Sequence, residues 1–175
     1  MNLREAILEE HSKAQADRIA AYIGTDTERF DELMQLIFHD EYRVVQRATY
    51  ALKKVGDKYP KMILPYLEEM IPKLRQEEIH VAFRRNALSI IADLKIPEKY
   101  IGELADICFG FLESRKETIA VRGHSMSILE QVCEYEPELT NELVLLIEEF
   151  MPHESAGFKS RGKRILKRLR GIIEN

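Results

Sequence analysis

Tryptophan is absent from this 175-residue chain and only two cysteines occur. No apolar run approaches the roughly 20 residues that cross a bilayer as a helix. Two cysteines cannot staple a disulfide scaffold. Cys108 and Cys133 stand among apolar neighbours at helical spacing, with no CxxC, and are expected to be buried free thiols. Eight glycines and six prolines are too few for a collagen-like or low-complexity chain. Alternating strand-like runs and Asn-Gly or Asp-Gly hairpin turns are missing as well. So are GxGxxG, a Walker A loop, GxSxG and HExxH, and the five histidines His11, His39, His80, His124 and His153 are scattered. This pattern implies no enzyme, no cofactor and no metal centre. The first ten residues break every apolar stretch with charge, unlike a signal-peptide core, so the expected location is the cytoplasm with no membrane partner.

What remains is strong helical patterning. Hydrophobic residues make up 45% of the chain and charged residues 32%, with a formal net charge of −4. That balance excludes disorder and leaves enough apolar material for one domain with a sizeable core. Apolar residues recur at i, i+3/i+4 and i+7 nearly throughout, which reads as all-α.

The helices repeat. Segments beginning at Val44, Phe83, Val121 and Phe158 align without a gap, at spacings of 39, 38 and 37. Each reads large apolar, then a small residue four positions on (Ala48, Ala87, Ser125, Gly162), an apolar pair at seven and eight, and an apolar residue at eleven. At about 100° per residue these offsets fill one buried stripe, and the small residue admits a close neighbour. Between these segments lie first-type helices with stripes such as Ile63, Leu67, Met70 and Leu74, opened by Pro60, Pro97 and Pro137. An earlier degenerate unit carries Ala16, Ile19 and Ile23, then Phe30, Leu33 and Ile37. Glycines after the helices are expected to act as C-caps. The spacing predicts about four and a half units, at 12–39, 40–77, 78–114, 118–152 and a half unit at 156–175, within a single domain 1–175.

The stretch Met62-Ile63-Leu64-Pro65-Tyr66-Leu67 through Leu74, followed by Phe83-Arg84-Arg85-Asn86-Ala87-Leu88-Ser89-Ile90-Ile91, resembles a HEAT repeat. The resemblance is clearest over residues 40–132. It implies an α-α superhelix, a right-handed solenoid of antiparallel helix pairs of the HEAT/ARM type, acting as a non-catalytic protein-binding or scaffold module. It also implies an Arg early in each second helix tied to an acid in the preceding turn. Arg84 has Glu78 there, Arg122 has Lys116-Glu117, and Lys159 has Glu154.

Charge divides by helix type. The first-type helices hold 16 acids and 5 bases, giving −11; the second-type helices hold 5 acids and 16 bases, giving +11. In such a solenoid the second helices line the concave side, so the resemblance implies a basic groove attracting a protein or peptide with an acidic surface. The candidate partner-binding residues on that side are Arg47, Tyr50, Lys53, Arg85, Ser89, His124, Ser127, Arg161, Arg164 and Lys167. The alternative is nucleic-acid binding of the kind found in the HEAT-like DNA alkylation repair proteins. A basic stripe would suffice to neutralise phosphates. Against it, the chain has no Trp, Asp93 is the only Asp roughly placed, and few aromatics besides Tyr50 interleave with the bases.

Overall fold

A computed structural model describes residues 1–173, with side chains to Gly171. Among these residues the chain is all-α, with ten α-helices and four short 3-10 segments. The helices form two compact units, Met1–Leu94 and Lys95–Asn175. Every position of the four aligned stripes is buried, from Val44 and Leu52 to Ile165 and Leu169. Each such large apolar side chain stabilises the fold by roughly 1.5–3 kcal/mol.

The first unit contains α1 (Leu3–Glu9), α2 (Lys13–Ile23), α3 (Thr27–His39), α4 (Tyr42–Lys58), α5 (Leu67–Lys73) and α6 (Val81–Asp93). Short polar side chains open several of them. Asn2 accepts from Glu5 N at 3.1 Å, Ser12 from Gln15 N at 3.0 Å, and Asp26 from Glu28 N and Arg29 N at 3.1 Å. The second-type helices α2, α4 and α6 pack side by side, with α3 against α4. The helix α1 precedes the first unit read from the sequence and packs against α2, α3 and α4.

Two expectations change here. The stripe Ile63, Leu67, Met70 and Leu74 reads as one first-type helix, but it folds as a 3-10 stretch, Pro60–Tyr66, followed by the short α5. Pro65 and Pro72 lack the N–H that an uninterrupted α-helical ladder requires. Glycine serves as a C-cap at Gly24, where φ is +52° and the N–H donates to Ala20 O at 2.9 Å. Gly56 instead lies inside α4, and a Cβ there would stand 3.0 Å from Ile90 of α6. It is a packing glycine rather than a cap.

The second unit contains α7 (Ile101–Glu113), α8 (Ile119–Tyr135), α9 (Thr140–Phe150) and α10 (Ala156–Ile173). The helices pair as α7 with α8 and α9 with α10, and α8 lies beside α10. Gly162 allows the α9–α10 approach: a Cβ there would meet Ile147 at 3.0 Å and the Met151 sulfur at 3.3 Å. Cys108 and Cys133 are buried free thiols, and burial pushes the Cys108 thiol up to about 12.

The expected Arg-to-acid ladder takes a different form. Arg84 donates to the carbonyls of Leu74 and Gln76, both at 3.0 Å, closing the end of the α5 turn. Arg122 does the same for α7 through Leu112 O at 3.0 Å. Its acid is Glu154, 32 residues later, instead of the turn before its own helix. Arg122 is 4% exposed, with the rings of Phe150 and Phe158 4.9 and 5.3 Å from its guanidinium carbon. A guanidinium suits this task because it donates in several directions from one plane.

Candidate functional site

The ten candidate residues divide between the two units and do very different things. In the first unit, Arg47 extends from α4 to the open end of α1, with Nη1 2.8 Å from Leu8 O and 3.5 Å from Ile7 O. Lys53 pairs with Asp57 on its own helix and stands 3.9 Å from Asp93 of α6. Tyr50 is half-buried, with its ring 6.2 Å from that of His11 and Lys54 Nζ 5.9 Å from its centroid. Ser89 is buried. Arg85 alone of this group stands exposed.

In the second unit, Arg161 of α10 crosses to α8, placing Nη1 3.3 Å from His124 Nδ1 and 3.4 Å from Ser127 Oγ. A Cβ at Gly123 would meet it in ordinary contact, 3.6 Å from Arg161 Nη1. Arg164 and Lys167 are exposed, and neither forms an ion pair among the described residues. The fold therefore draws Arg47, Lys53, Ser89, His124, Ser127 and Arg161 into packing. Arg85, Arg164 and Lys167 remain presented to solvent.

The cause is the number of neighbours. A helix at a single interface buries one stripe and exposes the rest. Helix α6 buries Ser89 and Asn86 in addition to its predicted stripe, because α4 packs along its flank. The face opposite the stripe is narrower than periodicity implies.

Sequence reasoning missed a column of polar residues along the flank. One position before each small residue stands Gln15, Arg47, Asn86, His124 or Arg161. Gln15 Nε2 donates to Ala6 O at 2.5 Å, Arg47 to Leu8 O, and Asn86 Nδ2 to Thr49 O at 3.2 Å. His124 receives Arg161. Each member joins its helix to a neighbour. The aligned segments already contained this signal, since the same place is polar in all five.

Other polar contacts at the helix starts are structural too. His80 opens α6, with Nδ1 accepting from Ala82 N at 2.8 Å, and the Tyr42 ring lies 4.2 Å from its imidazole. Burial, followed by the Arg85 charge, holds its pKa below the ordinary histidine value. It is thereby kept neutral, as an accepting cap requires. Tyr66 donates to Asp31 at 3.1 Å, and burial and that carboxylate push its phenol up to about 12.

Open clefts of about 450 Å³ between α9 and α10, about 410 Å³ beside α1 and α2, and about 220 Å³ between α8 and α10 indent the units. Among the described residues no three His, Cys, Asp or Glu side chains converge as a metal site would require. No helix of the described residues is long and apolar enough to cross a membrane.

No curated protein and no solved structure matches the chain. The family model for the HEAT repeat domain matches residues 3–169, a span that takes in every helix pair and α1. Such domains are generally protein-binding scaffolds. Paired helices, second-type helices packed flank to flank, and a match over nearly the whole length together place the chain in the HEAT repeat family.

Proposed function

We propose that this HEAT repeat domain is a non-catalytic protein-binding module that takes a protein or peptide with an acidic surface. The observation that carries this reading is charge left over after packing. The second-type helices hold 16 bases against 5 acids. After those drawn into packing are set aside, Arg85, Arg164 and Lys167 stand exposed in no ion pair among the described residues. Exposed arginine is a frequent anchor in protein interfaces, and leftover charge of one sign steers an opposite partner. Arg47 and Lys53 are not among these exposed charges, since one closes α1 and the other is paired within α4.

Reversing Arg85, Arg164 and Lys167 together to Glu should abolish capture of acidic proteins in affinity purification from the native host, read by mass spectrometry. Helical circular dichroism should not change. Unaltered capture by the triple variant overturns the reading. Duplex DNA bound by the unaltered chain, with affinity collapsing between low and physiological salt, would replace it with the nucleic-acid reading. The half-buried setting of Tyr50 against His11 weighs against that outcome, since base stacking needs an open aromatic face.

A further inference from the structure

Helix α10 has seven bases and no acid between residues 156 and 173. Two of those bases are neutralised locally, Arg168 by Glu130 at 3.0 Å and Arg170 by Glu148 at 2.6 Å. Lys163 and Lys167 are exposed, form no ion pair among the described residues, and sit one helical turn apart, about 6 Å along the axis. Both line the cleft of about 450 Å³ between α9 and α10, whose apolar surface comes from Met151 and Leu166. Glu148 stands in the same cleft beside Arg170.

We propose that this cleft is a docking site for an acidic amphipathic helix of a partner protein. The proposal rests on the protein-binding reading above and adds the place and the form of the ligand. Carboxylates at i and i+4 of a helix repeat at the same 6 Å spacing as Lys163 and Lys167. An aliphatic side chain between them would meet Met151 and Leu166, while an uncharged residue would face Glu148. The cleft disfavours other polyanions. A phosphate backbone offers no aliphatic group for Met151, and its charge would run against Glu148.

The test uses the full chain and a fluorescent peptide of about five helical turns, built from Glu, Leu and Ala with carboxylates at i, i+4 beside a leucine stripe. Its controls are a scrambled peptide of the same composition, a short DNA duplex, and phosphatidylserine-containing vesicles. By anisotropy at physiological salt the aligned peptide should bind about tenfold more tightly than the scrambled one. Lys163→Glu with Lys167→Glu should erase that difference, Met151→Gln should weaken binding, and Glu148→Gln should strengthen it. Arg85→Glu, in the other unit, should have no effect. Equal binding of the scrambled peptide, preference for duplex or vesicles, or indifference to the lysine reversals overturns the proposal. If the aligned peptide fails while acidic host proteins are still captured through Arg85, the cleft assignment falls and the broader reading stands. If capture also survives the triple reversal, both fall.

Discussion

Arg47 Nη1 lies 2.8 Å from the carbonyl oxygen of Leu8, so the guanidinium of α4 closes the C-terminal end of a helix 39 residues away in sequence. The last carbonyls of a helix lack intrahelical donors, and a cation there also opposes the negative end of the helix dipole. Arg4 adds a second tie from α1, donating from Nε and Nη2 to Asp40 at 2.8 and 3.1 Å.

Arg47→Ala should therefore lower stability by about 1–2 kcal/mol, since it leaves charge-assisted carbonyl contacts unmade. Urea unfolding gives the value. The exposed Arg85→Ala should change stability by less than about 0.5 kcal/mol. Equal effects of the two substitutions would contradict the structural role assigned to Arg47.

Arg122→Ala should be the most damaging of the arginine changes. It strands the Glu154 carboxylate, which is 15% exposed, and unmakes the Leu112 contact, at a cost of about 3–5 kcal/mol. Removing both charges with Arg122→Met and Glu154→Gln should recover much of that loss, because the site between Phe150 and Phe158 is apolar enough to accept a thioether. A double-mutant cycle on chemical denaturation separates the two terms.

The glycines should respond in opposite directions. Gly110 is exposed within α7 and a Cβ there would meet nothing within 4 Å, so Gly110→Ala should stabilise by about 0.5–1 kcal/mol through helix propensity. Gly56→Ala gains the same propensity, but its Cβ would press three Ile90 carbons at 3.0 to 3.2 Å. Ile90 is buried and β-branched and has little freedom to yield. The net effect should be destabilising, read as a fall in thermal midpoint for one variant and a rise for the other.

His80 should leave a pH signature. Its folded-state pKa lies below the ordinary value near 6.5, so as pH falls the unfolded chain binds the proton first. The stabilisation is complete above about pH 6.5, declines as pH drops from there to the folded pKa, and then levels off. His80→Asn keeps an acceptor at the start of α6 and has no titration. Its stability should be flat across that window. Asp17 and Asp40, held low by Lys13 and Arg4, lose their contributions only in the more acidic carboxylate range.

Most of the helical plan was legible in the sequence because large apolar residues obey a period that only a helix satisfies. The gapless alignment of Val44, Phe83, Val121 and Phe158 located four buried stripes whose every position is buried. The candidate surface was less legible. Periodicity gives the direction of the deepest burial, but it does not count neighbours, so Ser89 and Ser127 read as outward when an adjacent helix covers or contacts them. It also cannot tell a basic side chain that reaches a carbonyl from one that reaches water. Arg47 stands directly before the small residue of its stripe, within reach of an unfinished helix end, and Arg85 stands one position earlier in its own, exposed. The 3-10 stretch at Pro60–Tyr66 was foreshadowed by Pro65, whose missing N–H outweighs the helical period around it.

The flank column of Gln15, Arg47, Asn86 and the Arg161–His124 pair has a consequence for how the chain could be rebuilt. Its members vary in length and in what they reach: an amide to a carbonyl of the neighbouring helix at Gln15 and Asn86, a guanidinium to a helix end at Arg47, and a guanidinium to an imidazole at Arg161. Each second helix is thereby keyed to its own place in the order. Swapping or duplicating units would preserve every apolar stripe, yet it would set the wrong key against each neighbour, so shuffled versions should fold loosely until the column is rewritten with them.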